Sequence, residues 1–260
     1  MATYEEIKKH WDSLAQKDES YKSSWDDFYM LQKEIFEISK YIKGSESICD
    51  IGCNNGYCDF KLLETYKDIH ITGIDFSEKL ILEAQQYLSK SDYQDRATFI
   101  VGNILDPSTY PTQKFDIILL KRILINLTTE EDQIQAMLNL KNLLTDTGKI
   151  ILTEAVEENW NRLNRLREEC QLDKLKQPWH NRYLTDKVIK SLYSNFNVIL
   201  DNDYSSSYYI ISRVLSPLSK KINMDKKLEY VSEINRMASM FPNFGDYGTQ
   251  RLFILSDNEK

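Results

Sequence analysis

From residue 47 to residue 153, short apolar runs alternate with amphipathic segments, and this alternation restricts the chain to few architectures. Runs at 47–51, 70–74, 98–101, 115–120 and 149–153 have the length and apolar density of strands buried on both faces. Segments 56–66, 77–90 and 129–144 space their apolar residues as helices do. In the last, Ile134, Met137, Leu138 and Leu144 share a face, Thr128 and Glu131 stand at capping-box spacing, and Gly148 lies just beyond the end. Strands alternating with helices predict a parallel sheet covered on both faces. The rhythm breaks after 155. Residues 155–195 read as mainly helical, 197–203 as a sixth strand, 208–241 as helical again, and 251–255 as a late strand before a polar tail. The first 43 residues read as helices, with Ile35, Ile38, Tyr41 and Ile42 at helical spacing before Gly44.

Charge bounds the partners. The net charge of −7 over 260 residues argues against broad nucleic-acid binding, which needs clustered Lys and Arg. No run of about 18 apolar residues suggests a membrane span, and the N-terminus lacks the apolar region of a secretory signal. A cytoplasmic location, as a monomer or homodimer, is expected. Cys49, Cys53 and Cys58 lie close together but include no C-x-x-C pair, so reduced structural thiols are expected and no metal site.

The chain's eight glycines are few, yet Gly52 and Gly56 flank Cys53-Asn54-Asn55 directly after the first expected strand, with Asp50 inside that strand. Glycine at such a junction lets the backbone take positive φ and approach a ligand. A dinucleotide fingerprint, G-x-G-x-x-G, would require glycine where Asn54 and Tyr57 stand. Acidic-x-Gly-x-x-x-Gly does fit. The second strand ends in Gly73-Ile-Asp75-Phe76-Ser77, 25 positions after Asp50, the third leads into Gly102-Asn103-Ile104, and the fourth into Lys121-Arg122.

Over roughly residues 45–155 these motifs resemble the class I S-adenosylmethionine-dependent methyltransferases. The resemblance implies an α/β, Rossmann-like, doubly wound sheet of seven mostly parallel strands with an antiparallel last strand. It also implies one domain over 1–260: an N-terminal helical cap at 1–43, a cofactor-binding core at 45–155, acceptor-side helices and lid at 156–245, and a final strand at 250–257. S-adenosylmethionine would be the cofactor. Asp50 would answer its ammonium group, Gly52, Cys53, Asn54 and Gly56 would wrap it, and Asp75, followed by Phe76, would take both ribose hydroxyls. Asn103 and Ile104 would meet the adenine, and Lys121 would face the same site. Asn54 and Asn103 depart from the family's commoner glycine and aspartate. Asparagine tolerates left-handed backbone, and its carbonyl can accept a hydrogen bond.

The methyl acceptor leaves a weaker trace. Arg122 and the cluster Trp179-His180-Asn181-Arg182-Tyr183 suggest a small anionic acceptor, with His180 as base or orienting group and Arg122 and Arg182 holding the charge. Ser205-Ser-Ser-Tyr208-Tyr209 and Arg213 follow the sixth strand; His10 and His70 read as structural or exposed. The combination also resembles bacterial methyltransferases of surface-polysaccharide synthesis, implying a nucleotide-activated sugar or related phosphorylated precursor. Other readings are a non-catalytic cofactor-binding partner subunit, a methyltransferase acting on protein, tRNA or another small metabolite, and a nicotinamide-dependent oxidoreductase, which the glycine spacing disfavours.

Overall fold

The computed structural model describes residues 2–15, 20–222 and 229–257. Strands β1 (Ser47–Ile51), β2 (His70–Asp75), β3 (Ala97–Val101), β4 (Phe115–Lys121), β5 (Leu144–Ala155), β6 (Phe196–Asp203) and β7 (Gln250–Asp257) form one sheet in the order β3-β2-β1-β4-β5-β7-β6. β7 pairs antiparallel with β5 and β6, and the remaining pairings are parallel. The expected doubly wound sheet with an antiparallel last strand is therefore observed. The order reverses between β1 and β4, and it is there, at the carboxyl ends, that such sheets leave a crevice.

Helices cover both faces. α1 (Tyr4–Asp12) begins in a Thr3–Glu6 capping box, and α2 (Phe28–Ser39) begins at Asp27, whose carboxylate accepts from the Met30 amide. α3 (Tyr57–Thr65) and α4 (Glu78–Leu88) follow β1 and β2; α5 (Glu130–Leu140) joins β4 to β5. Beyond β5 come α6 (Glu157–Glu169) and α7 (Asp186–Asn195), then α8 (Ser206–Tyr209), a π-helical stretch Ile210–Leu215, α9 (Ser216–Ile222) and α10 (Glu233–Met240). Ile48, Ile71 and Leu119 pack on one side of the sheet, Cys49, Ile118 and Leu152 on the other.

Three local expectations are corrected. Thr129, not Thr128, caps α5 by accepting from the Asp132 amide, while the Thr128 amide donates to the Tyr4 hydroxyl. The helix ends at Leu140, and Gly148 lies inside β5, where the register against β4 shifts between Phe115 and Ile117. A Cβ at Gly148 would stand 2.9 Å from the Phe115 carbonyl oxygen, so bulge and glycine go together. Between α6 and α7 the chain is not helical: Leu172–Tyr183 is irregular, and Leu184 bridges to Val156. Residues 1 and 16–19 of the expected N-terminal cap, 223–228 of the expected helical run, and 258–260 of the polar tail lie outside the described residues. Among the described residues no helix is long and apolar enough to cross a membrane.

Candidate active site

The loop after β1 reverses direction through three left-handed residues, Gly52 (φ 79°), Asn54 (φ 56°) and Gly56 (φ 77°). A Cβ on Gly52 would come within 2.9 Å of Ile123 Cδ1, and one on Gly56 within 2.8 Å of Phe99 Cζ, so space and φ both select glycine. Asn54 tolerates its conformation because its side chain is used locally. Its Oδ1 accepts from the Asn55 amide at 2.8 Å and its Nδ2 donates to the Ser23 carbonyl at 3.1 Å. The amides of Gly52 and Cys53 both donate to the Ile74 carbonyl, tying the loop to the end of β2.

Asp75, the last residue of β2, holds that junction. One carboxylate oxygen accepts from the Asn54 amide and the other from the Ser77 amide, each at 2.9 Å. Ser77, not Asp75, caps α4. Burial raises the Asp75 pKa to about 6 against the lowering effect of those two amides, so the group is mainly ionised at neutral pH.

Beside the loop, Lys121 at the end of β4 pairs with Asp50 of β1. Burial is the largest influence and works against the lysine charge, but Asp50 and its buried neighbours together outweigh it and the Lys121 pKa rises. Asp59 of α3 lies against Asp50, both wholly buried. Burial and the Asp50 charge push Asp59 well above the carboxylate range, so it keeps its proton and can donate it to Asp50. The thiols of Cys49, Cys53 and Cys58 are also buried, and burial raises their pKa values. Among the described residues no group of three His, Cys, Asp or Glu side chains is placed to hold a metal ion.

A cavity of about 600 Å³ opens at this point. Gly52, Cys53, Asn54, Asp75, Phe76 and Lys121 line it, as do Arg122 and His180. Asp50 and Gly56 act from behind the lining. Asn103 and Ile104 are not on it: Asn103 folds into a turn with Leu105 and Thr109, and Ile104 packs in the core. The sequence-expected cofactor residues thus gather at the β1–β2–β4 edge, apart from the pair after β3.

The residues expected to hold an acceptor are placed differently. Arg122 adopts φ 57°, its amide bonded to the Thr153 carbonyl. Its Nε donates to both Glu34 carboxylate oxygens at 3.2 Å, its Nη atoms donate to Ser24, and the guanidinium lies 4.4 Å from the centre of the Trp25 ring. Arg122 thus clamps α2 onto the sheet while bordering the cavity. Arg182 lines a smaller adjoining cavity, its Nε donating to the Thr128 carbonyl. His180 stacks on His10 with centroids 4.4 Å apart, and burial and His10 together lower its pKa to about 4. It is therefore neutral at physiological pH.

Sequence reasoning named Arg213 and Tyr183 but missed their partners at the same cavity, Asp27 and Trp160. Asp27, wholly buried, pairs with Arg213 and accepts from the Tyr208 hydroxyl. Arg213 sits on the π-helical stretch with its guanidinium 4.9 Å from the Tyr230 ring centre and 5.5 Å from that of Tyr209. Trp160 packs edge-on against Tyr183 at 5.3 Å. Of the two missed residues, Asp27 stands at a helix start, a position that points to capping and not to a site.

The order of the sheet, its antiparallel seventh strand and the glycine loop beside Asp75 define a Rossmann-like methyltransferase fold. A family model described as a methyltransferase domain matches residues 42–195, and the chain belongs to that family. Among relatives, the 27-O-demethylrifamycin SV methyltransferase of Amycolatopsis mediterranei is 31% identical over 77 residues, 30% of this chain and 28% of that one. A probable methyltransferase of Aspergillus luteorubrus is 23% identical over 50% of this chain and 47% of its own. The chain thus spans less than half the length of the curated relatives it matches. Among solved structures, the N-methyltransferase NodS of Bradyrhizobium japonicum, in complex with S-adenosylhomocysteine, superposes with TM-score 0.61 at 14% identity over 97% of this chain and 98% of that one. The magnesium protoporphyrin IX methyltransferase of Synechocystis, with the same molecule bound, gives 0.55 at 14% identity over 96% and 94%.

Proposed function

We propose that this chain transfers the methyl group of S-adenosylmethionine to an oxygen or nitrogen of a small acceptor, the whole of 1–260 acting as one methyltransferase unit. The observation that carries the reading is Asp75, whose two carboxylate oxygens each hold one loop amide and keep lone pairs for a ligand in the cavity. The left-handed Gly52 beside it leaves a cradle that a Cβ would fill. The residues fit the cofactor: Asp75 suits a vicinal diol, Gly52, Cys53 and Asn54 bring backbone close, and Phe76 supplies an apolar face.

Held by Asp75, Gly52, Cys53 and Asn54, the cofactor would supply a methyl group activated on a sulfonium sulfur, which would leave as the neutral thioether. The protein's part is alignment. Asp75 fixes one end, Lys121 is held rigid by Asp50, and the Arg122–Glu34 clamp fixes the Trp25 wall. Neutral His180 orients rather than deprotonates. The N-terminal helices and segment 156–245 cover the acceptor. The sequence suggests an anionic acceptor held by Arg122 and Arg182, with Lys121 beside the cofactor. Two of these are neutralised by carboxylates and the third is engaged away from the main cavity, so we retain the small acceptor and drop the requirement for its charge.

Titration calorimetry with S-adenosylmethionine and S-adenosylhomocysteine tests the cofactor, and product release with a metabolite panel tests transfer. Absence of binding to both would overturn the reading; binding without transfer to any acceptor would favour a cofactor-binding partner subunit.

A further inference from the structure

Resting on the methyl-transfer reading, we propose that the acceptor is an uncharged, hydroxyl-rich ring compound, held by hydrogen bonds it donates to Asn181 and Gln250 and by stacking on the aromatic wall. Three independent features of the cavity lead to it.

The cations set deepest on the lining are already matched. Lys121, buried, and Arg122 and Arg213, partly buried, each face a buried carboxylate: Asp50, Glu34 and Asp27 in turn. An incoming anion would have to compete with partners that are 0%, 0% and 1% exposed. Of the other lining lysines, Lys176 is solvent-exposed and Lys22 already has an interaction. A cationic acceptor fares no better: Asp27 is neutralised, Asp75 serves the cofactor in this reading, Asp26 is solvent-exposed, and two guanidinium groups lie nearby.

The unmatched polar atoms want donors. Asn181 Oδ1, Gln250 Oε1 and His180 Nδ1 belong to lining residues and are buried without a hydrogen-bond partner. Buried acceptors are rarely left so, and these three belong to residues of one cavity. A phosphate or carboxylate group offers acceptor atoms and cannot match the two amide oxygens, whereas hydroxyl groups can donate to them.

The wall favours a ring. Trp25, Trp160, Tyr183, Tyr209 and Tyr230 all border the cavity. Arg122 packs over Trp25 and Arg213 over Tyr209 and Tyr230, which holds these rings in place. Such faces stack on flat aromatic rings and on the C–H face of a sugar ring alike.

The test uses matched pairs with the full chain saturated by S-adenosylhomocysteine: 4-nitrophenyl glucoside against its 6-phosphate, and dihydroxynaphthalene against its monosulfate. Binding is read by calorimetry and transfer by product release from S-adenosylmethionine. The uncharged member of at least one pair should bind about tenfold or more tighter than its charged partner; which pair responds distinguishes a sugar from a phenol. Asn181→Leu and Gln250→Leu should each weaken that probe about fivefold or more while S-adenosylhomocysteine affinity stays within about twofold. If Gln250→Leu does not fold, Asn181→Leu, on the irregular segment, carries the test. Tighter binding of the charged members, unchanged affinity in the variants, or no probe binding while S-adenosylhomocysteine does would overturn the proposal alone. Failure of S-adenosylhomocysteine to bind would overturn the cofactor reading beneath it.

Discussion

Asp50 and Lys121 form a buried ion pair across β1 and β4, the two strands between which the sheet order reverses. Two charges taken from water there are tolerated only together, with protonated Asp59 beside them. The pair therefore fixes the edge from which both the glycine loop and Arg122 depart.

Lys121→Met should strand the Asp50 charge and cost about 3–5 kcal/mol in urea unfolding. Asp50→Asn combined with Lys121→Met should recover a large part of that loss. A double variant as unstable as the sum of the singles would contradict the pairing.

Asp75→Asn should weaken S-adenosylhomocysteine binding about 10- to 100-fold, the value of a charged hydrogen-bonding group. The wild-type carboxyl titrates at about 6: above that it is ionised and accepts from hydroxyls, below it the proton removes acceptor capacity. Affinity should fall as pH drops through 6, and the Asn variant should lack that step in calorimetry.

Asn54→Val should destabilise the fold by about 1–2 kcal/mol, because a β-branched residue resists left-handed backbone. Asn54→Gly frees φ but loses the bond to Ser23, and should shift stability by less than about 1 kcal/mol. Equal effects of Val and Gly in thermal unfolding would refute the conformational account.

Glu154 is wholly buried, and burial lifts its pKa to about 8, while the Leu124 amide works the other way. A raised acid holds its proton when folded and releases it when unfolded, so its contribution is present below about 4.3 and lost as pH rises through 8. Glu154→Gln should flatten the decline of stability between neutral pH and pH 8.5. An unchanged slope in the variant would show that another group titrates.

His180, with its pKa lowered to about 4, should leave no inflection near 6.5 in the rate–pH profile. Its lowered pKa means the unfolded chain takes up the proton first, so stability should fall as pH drops from about 6.5 toward 4. His180→Gln should keep the shape of the rate profile above pH 6; a new or missing inflection there would restore the role of base.

Much of the framework was legible along the chain. β1 spans the residues that its apolar run marks, the other strands extend theirs by a few residues, and Asn54 takes the left-handed conformation its residue type allows. The site divides differently. Gly52, Asp75 and Lys121 reach the cavity because strand ends place them there, whereas Arg122 meets Glu34 across 88 positions and Arg213 meets Asp27 across 186. A lone arginine near a strand end looks the same whether it awaits a substrate or already has a carboxylate.

The sequence by itself determined the sheet, the glycine loop and the acidic residue after β2, because strand periodicity, turn chemistry and capping act over a few residues. Only the tertiary structure decided which charges are spoken for, that His180 is neutral beside His10, and which polar atoms at the cavity still lack a donor. Those properties depend on burial and on partners far away in the chain, and neither exists until the sheet has assembled.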